Sequence, residues 1–322
     1  MARSAADRSV LCIGIGVLDI TGMPIPEPGV WKEKQRIGSI SLQVGGDGAN
    51  QCMHLASLGV KTYFCGVLGR DTGGDTVRSS LESRGVDISL SGIRDDAATG
   101  TALLLINAKG ERRIFSAAGV HSMMTKEDLP QDIPEDCGAV TIGSLFGMPL
   151  LEEDGLYEFL EKVRNRGIPV FADLDSGHVK AGTKRIERLY PMIDYLLPSD
   201  YDLRNLTGIE SKEEAAGWLM SRGVGQVVVK CGPDGCEIFR DGAMEKIPAP
   251  HVTPVDTTGA GDCMCAALIS RILAGDSLTQ ACRYGCAAGS LNTLYPGASS
   301  HILSDSDVRA LLAKSSQEIR FS

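Results

Sequence analysis

The chain has 322 residues, 43% of them hydrophobic, with a net charge of -9 and a pI near 5.1. That suffices for one large core, or a core with a smaller appendage, and the acidic balance repels a phosphate backbone, so no nucleic-acid partner is expected. The polar start from Met1 to Arg8 lacks a secretory apolar stretch and no later run could span a bilayer, which points to a soluble, cytoplasmic protein with no membrane partner.

Short apolar, β-branched runs alternate with amphipathic stretches. Ser9–Val17 reads as a strand, and Gly48–Leu58 as a helix stopped by Gly59. Lys61–Leu68 follows as a strand and Asp75–Arg84 as a helix closed by Gly85. Strands are expected at Ala139–Ile142, Val170–Asp173, Tyr195–Leu197 and Gln226–Cys231, with helices at Leu150–Arg166 and Lys212–Arg222. Ser211 is the expected N-cap of the latter, with Glu214 completing a capping box. A short strand region ends at Val255, and helices close the chain at Gly259–Ala274, Ser277–Leu294 and Asp305–Lys314. This alternation predicts an α/β fold: a doubly wound, mostly parallel sheet flanked by helices, with ligands gathered beyond the carboxyl ends of the strands.

Two segments break the pattern. Residues 30–44 alternate apolar and polar positions, and Thr99–Phe115 resembles a hairpin turning at Lys109-Gly110. Together they predict a small antiparallel β lid over the ligand end, the plainer alternative being an extension of the main sheet. Trp31 beside this lid could stack on a ligand or cover the lid's apolar face. No repeat or linker interrupts the chain, so residues 1–322 read as a single domain carrying that lid. The ten cysteines sit mostly in apolar or glycine-rich company and read as reduced core residues. Cys263, Cys265, Cys282 and Cys286 could be imagined as a metal site, but their spacings are not those of zinc knuckles.

Familiar nucleotide and hydrolase motifs fail. There is no G-x-x-x-x-G-K-[ST] and no G-x-S-x-G, and Gly14-Ile15-Gly16-Val17-Leu18-Asp19 has an acid where a dinucleotide fingerprint needs its third glycine. The informative stretch is Asp256-Thr257-Thr258-Gly259-Ala260-Gly261-Asp262, which runs from a strand through a glycine turn into a helix of small residues. Gly259 and Gly261 let backbone amides approach a ligand, and the helix start adds unpaired N–H groups and a positive dipole end. The result is an anion hole suited to a transferring phosphoryl group. Asp262 in the first turn could merely compensate the dipole; set beside an anion hole, it is better explained as the group that takes the proton of an attacking hydroxyl. A second stretch, Gly45-Gly46-Asp47-Gly48-Ala49-Asn50-Gln51, precedes a helix. Asp47 and Asn50 could bond sugar hydroxyls there, with Asp19 pointing into the same cleft, or serve as a cap and a solvated acid.

Gly45–Gly59 (GGDGANQCMHLASLG) and Asp256–Ser270 (DTTGAGDCMCAALIS) are similar to the two signatures of the ribokinase-like, PfkB carbohydrate kinase family, and the resemblance runs from about Val10 to Lys314. It implies an ATP-dependent kinase acting on a hydroxyl of a small sugar or sugar-like molecule, with a doubly wound core and a β lid. It implies Asp262 as catalytic base and Gly259, Ala260 and Gly261 as the anion hole. Asp19, Gly45, Gly46, Asp47 and Asn50 match substrate-binding positions. Lys230, Gly232 and Gly235 lie in the stretch that resembles the nucleotide loop. Asp256 and the backbone of Thr258 match positions that hold a monovalent cation such as K⁺ in some members, and Gly297-Ala298 resembles the pair closing that region. Where members often carry N-x-x-E near the metal-bound phosphates, this chain has Ser199-Asp200-Tyr201-Asp202, so Mg²⁺ would be held at Asp202 through water, or be placed differently. Ribose-specific members carry lysine where Asp47 stands and an acid in the stretch matching Gly143–Phe146, and this chain has neither, which argues against strict ribose specificity. A nucleoside or sugar-acid kinase of the same fold is the alternative, with Arg112 and Arg113 as candidate contacts for a substrate anion. A non-catalytic sugar or nucleotide sensor is a further one. The lid's apolar face suggests a homodimer formed through it. His121, His178 and His301 read as surface residues.

Overall fold

The computed structural model describes residues 8–26, 32–109, 111–177 and 184–321. The first lid residues with Trp31, the turn residue Gly110, His178 and the Arg112 side chain fall outside what it describes.

In chain order the strands and helices are β1 (Ser9–Gly14), β2 (Val17–Ile25), β3 (Ser39–Gly45), α1 (Asp47–Ser57), β4 (Lys61–Cys65), β5 (Val67–Gly69), α2 (Thr72–Ser83), β6 (Gly92–Arg94), β7 (Thr101–Asn107) and β8 (Arg112–Ala117). The second half continues with β9 (Cys137–Leu145), α3 (Leu156–Asn165), β10 (Val170–Leu174), β11 (Tyr195–Leu196), α4 (Asp200–Thr207), α5 (Lys212–Met220), β12 (Gln226–Lys230), β13 (Cys236–Arg240), β14 (Ala243–Ile247), α6 (Ala260–Leu273), α7 (Leu278–Asn292) and α8 (Asp305–Phe321).

The main sheet has the order β14-β13-β12-β11-β10-β9-β1-β4. It is parallel from β12 to β4, with β13 and β14 joined antiparallel at one edge. Both faces are covered, so the central strands are buried at nearly every position rather than at alternate ones. Leu11 and Ile13 of β1 belong to the core covered by α3, α4 and α5, while Val10 and Cys12 belong to the core covered by α1, α2, α6 and α7.

The first expected strand, Ser9–Val17, divides into two. β1 ends at Gly14, and Val17 opens β2, which leaves the main sheet altogether. The second sheet has the order β3-β2-β7-β8. It consists of two antiparallel pairs, β2–β3 and β7–β8, joined by a parallel β2–β7 seam. Its central strand β2 was absent from the expected lid segments, and among the described residues of 30–44 only Ser39 onward is strand. The run Val17–Ile25 carries glycine, proline and an acid, so its pattern is weak, and only pairing on both sides makes it a strand. Likewise the expected helix from Leu150 begins as a π-turn at Leu151–Gly155 before α3. Ser211 caps α5 by accepting from the Glu214 N–H at 3.3 Å, the half of the expected capping box that the structure shows.

Candidate active site

Two helices start at the carboxyl ends of the main strands, and glycines let them sit there. A Cβ on Gly14, at the end of β1, would lie 2.6 Å from the Gly143 carbonyl and 2.9 Å from the Gly48 Cα. Side chains at these positions would therefore push the start of α1 off the sheet. Their absence lets α1 bring Asn50 to Asp262 and Gln51 to the Thr141 hydroxyl of β9.

The start of α6 is built the same way. Gly259 takes the left-handed region (φ 70°), and a Cβ there would lie 2.3 Å from the Ala298 carbonyl oxygen. The turn is thus closed against the 297–300 loop. Asp256 ties both pieces together: its carboxylate accepts from the Thr258 N–H at 2.9 Å, the Thr258 hydroxyl at 2.7 Å and the Gly297 N–H at 2.8 Å. The Ala298 carbonyl accepts from Asn292 Nδ2 and lies against His54 Nε2, each at 3.1 Å, and Arg84 holds the Ser299 and Ser300 carbonyls at 3.1 and 2.8 Å. Burial pushes His54 down to about 4, so it is neutral here and donates through Nε2. With the loop so fixed, the amides of Gly261 and Asp262 are first-turn donors for which the helix supplies no acceptor.

Asp262 is 7% exposed. Asn50 Nδ2 donates to its Oδ2 at 2.8 Å, and Asn50 Oδ1 in turn accepts from the Ser299 hydroxyl at 3.0 Å. Burial raises the Asp262 carboxyl to about 7 and the Asp173 charge adds to the rise, while Lys230, Asn50 and Gln51 oppose it. Asp47 is pushed well above the carboxylate range by burial and then by Asp262, Asp173 and Asp175, with Ser144 opposing. Burial also brings Asp19 up to about 6. Asp19 lies on β2, not at the end of β1, and its carboxylate occupies the space where a Cβ on Gly45 would be, 2.2 Å away. Gly46, at φ 89°, turns the chain from β3 into α1. Burial thus holds all three acids above the ordinary carboxylate value, and Asp47 lies close enough to Asp262 for their charges to interact, an arrangement suited to proton transfer.

Lys230, the last residue of β12, forms an ion pair with Asp173 of β10, Nζ lying 2.6 Å from both carboxylate oxygens. A Cβ on Gly261 would sit 3.4 Å from that ammonium, so the cation flanks the glycine turn. Gly232 (φ 56°) and Gly235 (φ 92°) close the tight turn from β12 to β13. Asp202, in the first turn of α4, accepts from the Ser176 hydroxyl at 2.6 Å and from Ser199. The residues brought into direct contact are thus Asp262 with Asn50, and Lys230 with the turn; Asp202 and the Gly232–Gly235 turn lie beside them on neighbouring strand ends.

Other candidates separate. Arg113 pairs with Leu105, in line with Gly22 and Ile40, whereas Asp19 pairs with Gln43 and Ala102; the two lie on opposite faces of the small sheet. His121 is buried, not a surface residue. Cys265 Sγ lies 3.4 Å from Asp173 and Cys286 Sγ 3.7 Å from Cys236, and among the described residues no group of three or more His, Cys, Asp or Glu is placed to hold a metal ion. All ten cysteines are free. A cavity of about 400 Å³ lined by Arg164, Asp194, Tyr195 and Gln226 opens at the amino ends of the strands, away from all of this chemistry. Sequence reasoning passed over Asp173, His54, Arg84 and Asn292. An acid ending a buried apolar strand was the available signal for Asp173; the other three announce themselves only through contacts far along the chain.

Comparison with known proteins agrees with this geometry. Residues 7–305 match the pfkB family carbohydrate kinase pattern. The ribokinase of Arabidopsis thaliana is 30% identical over 270 residues, covering 79% of this chain and 68% of its own. Fructokinase-2 of Solanum lycopersicum is 25% identical over 341 residues, covering 97% and 99%. The solved structure of Arabidopsis thaliana ribokinase complexed with ribose and ATP superposes with a TM-score of 0.79 at 27% identity, covering 95% of this chain and 98% of that one. A family pattern over nearly the whole chain, on a fold that brings both glycine-rich helix starts to one acid, places the chain in the pfkB family of carbohydrate kinases.

Proposed function

We propose that the protein transfers the γ-phosphoryl group of ATP to a hydroxyl of a small neutral sugar or sugar-like acceptor. The observation that carries this reading is the convergence of Asp262, the Gly259–Gly261 turn and the Lys230 ammonium at one mouth. The first-turn amides of α6 would bind the migrating phosphoryl oxygens, where fixed dipoles need no reorganisation. Asp262 would align the attacking hydroxyl and accept its proton late in a loose transition state. Asn50, both of whose polar side-chain groups are engaged, would orient Asp262 rather than bind the acceptor. Asp19, Asp47 and the backbone at Gly45 and Gly46 would hold the acceptor's other hydroxyls.

The turn holding Gly232 and Gly235 sits at the end of β12, beside Lys230, and would carry the nucleotide. Asp202, whose oxygens already accept from hydroxyls, fits Mg²⁺ held through water rather than directly. That ion would supply charge neutralisation for the phosphates. Asp256 and the Thr258 backbone would hold a monovalent cation such as K⁺; the loops they join are already fixed by this carboxylate. Residues 1–322 would form one catalytic unit, and its small sheet would act as a lid that excludes water from the transfer.

Charge decides between acceptors. Asp19, Asp47 and Asp262 would line the acceptor end, and Arg113 lies on the opposite face of the small sheet from Asp19. This field disfavours a sugar acid and favours a neutral polyol or a nucleoside sugar. A panel of hexoses, pentoses, nucleosides and sugar acids with Mg-ATP, read by ADP release, tests the reading. Turnover with a neutral acceptor that disappears in Asp262→Ala supports it. Tight ligand binding with no ADP formed from any acceptor would make the protein a sensor instead. The lid's exposed apolar row also supports a homodimer through that sheet.

A further inference from the structure

The ion pair between Asp173 and Lys230 is not where a purely structural pair would be expected. It lies at the carboxyl ends of β10 and β12, reaching across the two-residue strand β11, next to the turn that starts α6. Buried ion pairs contribute little net stability and can often be replaced by apolar residues, so their placement asks for another reason. Both Asp173 oxygens approach the ammonium at 2.6 Å, and Oδ1 also accepts from the Leu174 N–H at 2.8 Å. Cys265 Sγ closes the remaining side at 3.4 Å from Asp173 Oδ2. The carboxylate is thus fully occupied. Among the described residues the ammonium has only one further contact, a weak one to Cys265 Sγ at 3.8 Å; its side chain is 14% exposed, and the missing side chain of Gly261 leaves it facing the turn.

We propose that Asp173 is a positioning residue for phosphoryl transfer: it holds the Lys230 ammonium against the Gly259–Asp262 turn, so that a fixed, desolvated cation faces the migrating phosphoryl group. This rests on the transfer reading given above and adds a component to it. A lysine stem is flexible, and without a partner its ammonium would swing toward solvent. Pre-orientation by Asp173 removes that freedom before the substrates bind, which is what electrostatic catalysis requires. Burial alone would depress the ammonium's pKa, but Asp173 outweighs it and keeps Lys230 charged.

The pair also sets the charge of its neighbour. Asp262 is faced by Asp47, Asn50 and Gln51 from α1, by Asp173 from β10 and by Lys230 from β12, with Cys263 and Cys265 on its own helix. Asp173 raises the Asp262 carboxyl and Lys230 lowers it. Removing either partner therefore moves Asp262 in opposite directions, a signature that a role in packing alone would not produce.

The test compares wild type, Asp173→Asn and Lys230→Gln by steady-state ADP release across pH 5–9, with Mg²⁺ varied. Asp173→Asn should lower kcat on the order of a hundredfold, leave the acceptor KM within about threefold, and move the acid limb of kcat/KM to lower pH. Lys230→Gln should lower kcat similarly but move that limb to higher pH. A limb unmoved in both variants overturns the proposal. So does Asp173→Asn activity that returns to wild type at high Mg²⁺, because Asp173 would then act through the metal. If Asp173→Asn does not fold, Lys230→Gln decides by the direction of its limb. The underlying reading is tested separately, by wild-type turnover and its loss in Asp262→Ala.

Discussion

Asn50→Ala should raise the pH at which the enzyme switches on. In the native protein Asn50 Nδ2 donates to Asp262 Oδ2 at 2.8 Å, favouring the ionised acid and opposing the rise that burial imposes. A hydrogen bond to a charged acceptor contributes about 1.5–3 kcal/mol, which at about 1.4 kcal/mol per pKa unit corresponds to roughly one to two units. Asp262 lies at about 7, so close to half of it is ionised at neutral pH. Without Asn50 that share falls to about a tenth or less at pH 7. A transfer that needs the ionised acid should slow by the same factor at pH 7 and recover at pH 9. The assay is the pH profile of kcat/KM by coupled ADP release, with a thermal melt to confirm folding, since the Ser299 hydroxyl loses its acceptor as well. An acid limb that stays in place, or moves to lower pH, would refute the reasoning.

Asp262 should also cost stability at high pH. Its folded pKa is raised above the unfolded value of 3.8, so its contribution is most favourable below pH 4 and is lost as pH rises toward about 7. Asp262→Asn should therefore melt higher than wild type at pH 8, with the difference shrinking toward pH 4; equal melting points at pH 8 would contradict the buried, strained charge. Gly259→Ala should lower both turnover and melting temperature, because its φ of 70° and the Ala298 carbonyl 2.3 Å from the new Cβ force the turn apart, with a backbone cost of about 1–3 kcal/mol. Wild-type kinetics in that variant would remove the turn from the mechanism. On the outer face of the small sheet, Ile40, Leu42 and Phe115 are 70%, 57% and 58% exposed. Leu42 and Phe115 lie in one cross-strand row with Ile20 and Leu103. If that row is a dimer seam, Leu42→Glu with Phe115→Glu should halve the mass seen by light scattering, and a monomeric wild type would exclude the seam.

Much of this protein could be read before folding was considered. Apolar runs at strand length with β-branched residues marked the parallel sheet, since a strand buried on both faces has no polar positions to hide it. The Asp256–Asp262 turn could be read as a candidate anion hole because helix-start donors and glycine freedom are local properties. Other features depend on contacts across the chain. Val17–Ile25 has no strong pattern of its own, and it becomes the centre of the small sheet only because β3 and β7 flank it. Asn50 offers two polar groups to any partner, and folding assigned them to Asp262 and Ser299, more than two hundred residues away. Asp173 and Lys230 are separated by β11 in the sheet and by 57 positions in sequence, so no spacing rule joins them. The pKa of Asp262 belongs wholly to the fold, because burial and a neighbouring carboxylate exist only once α6, β10 and β12 converge. Local chemistry decided which groups could act; the order of strands decided which of them meet.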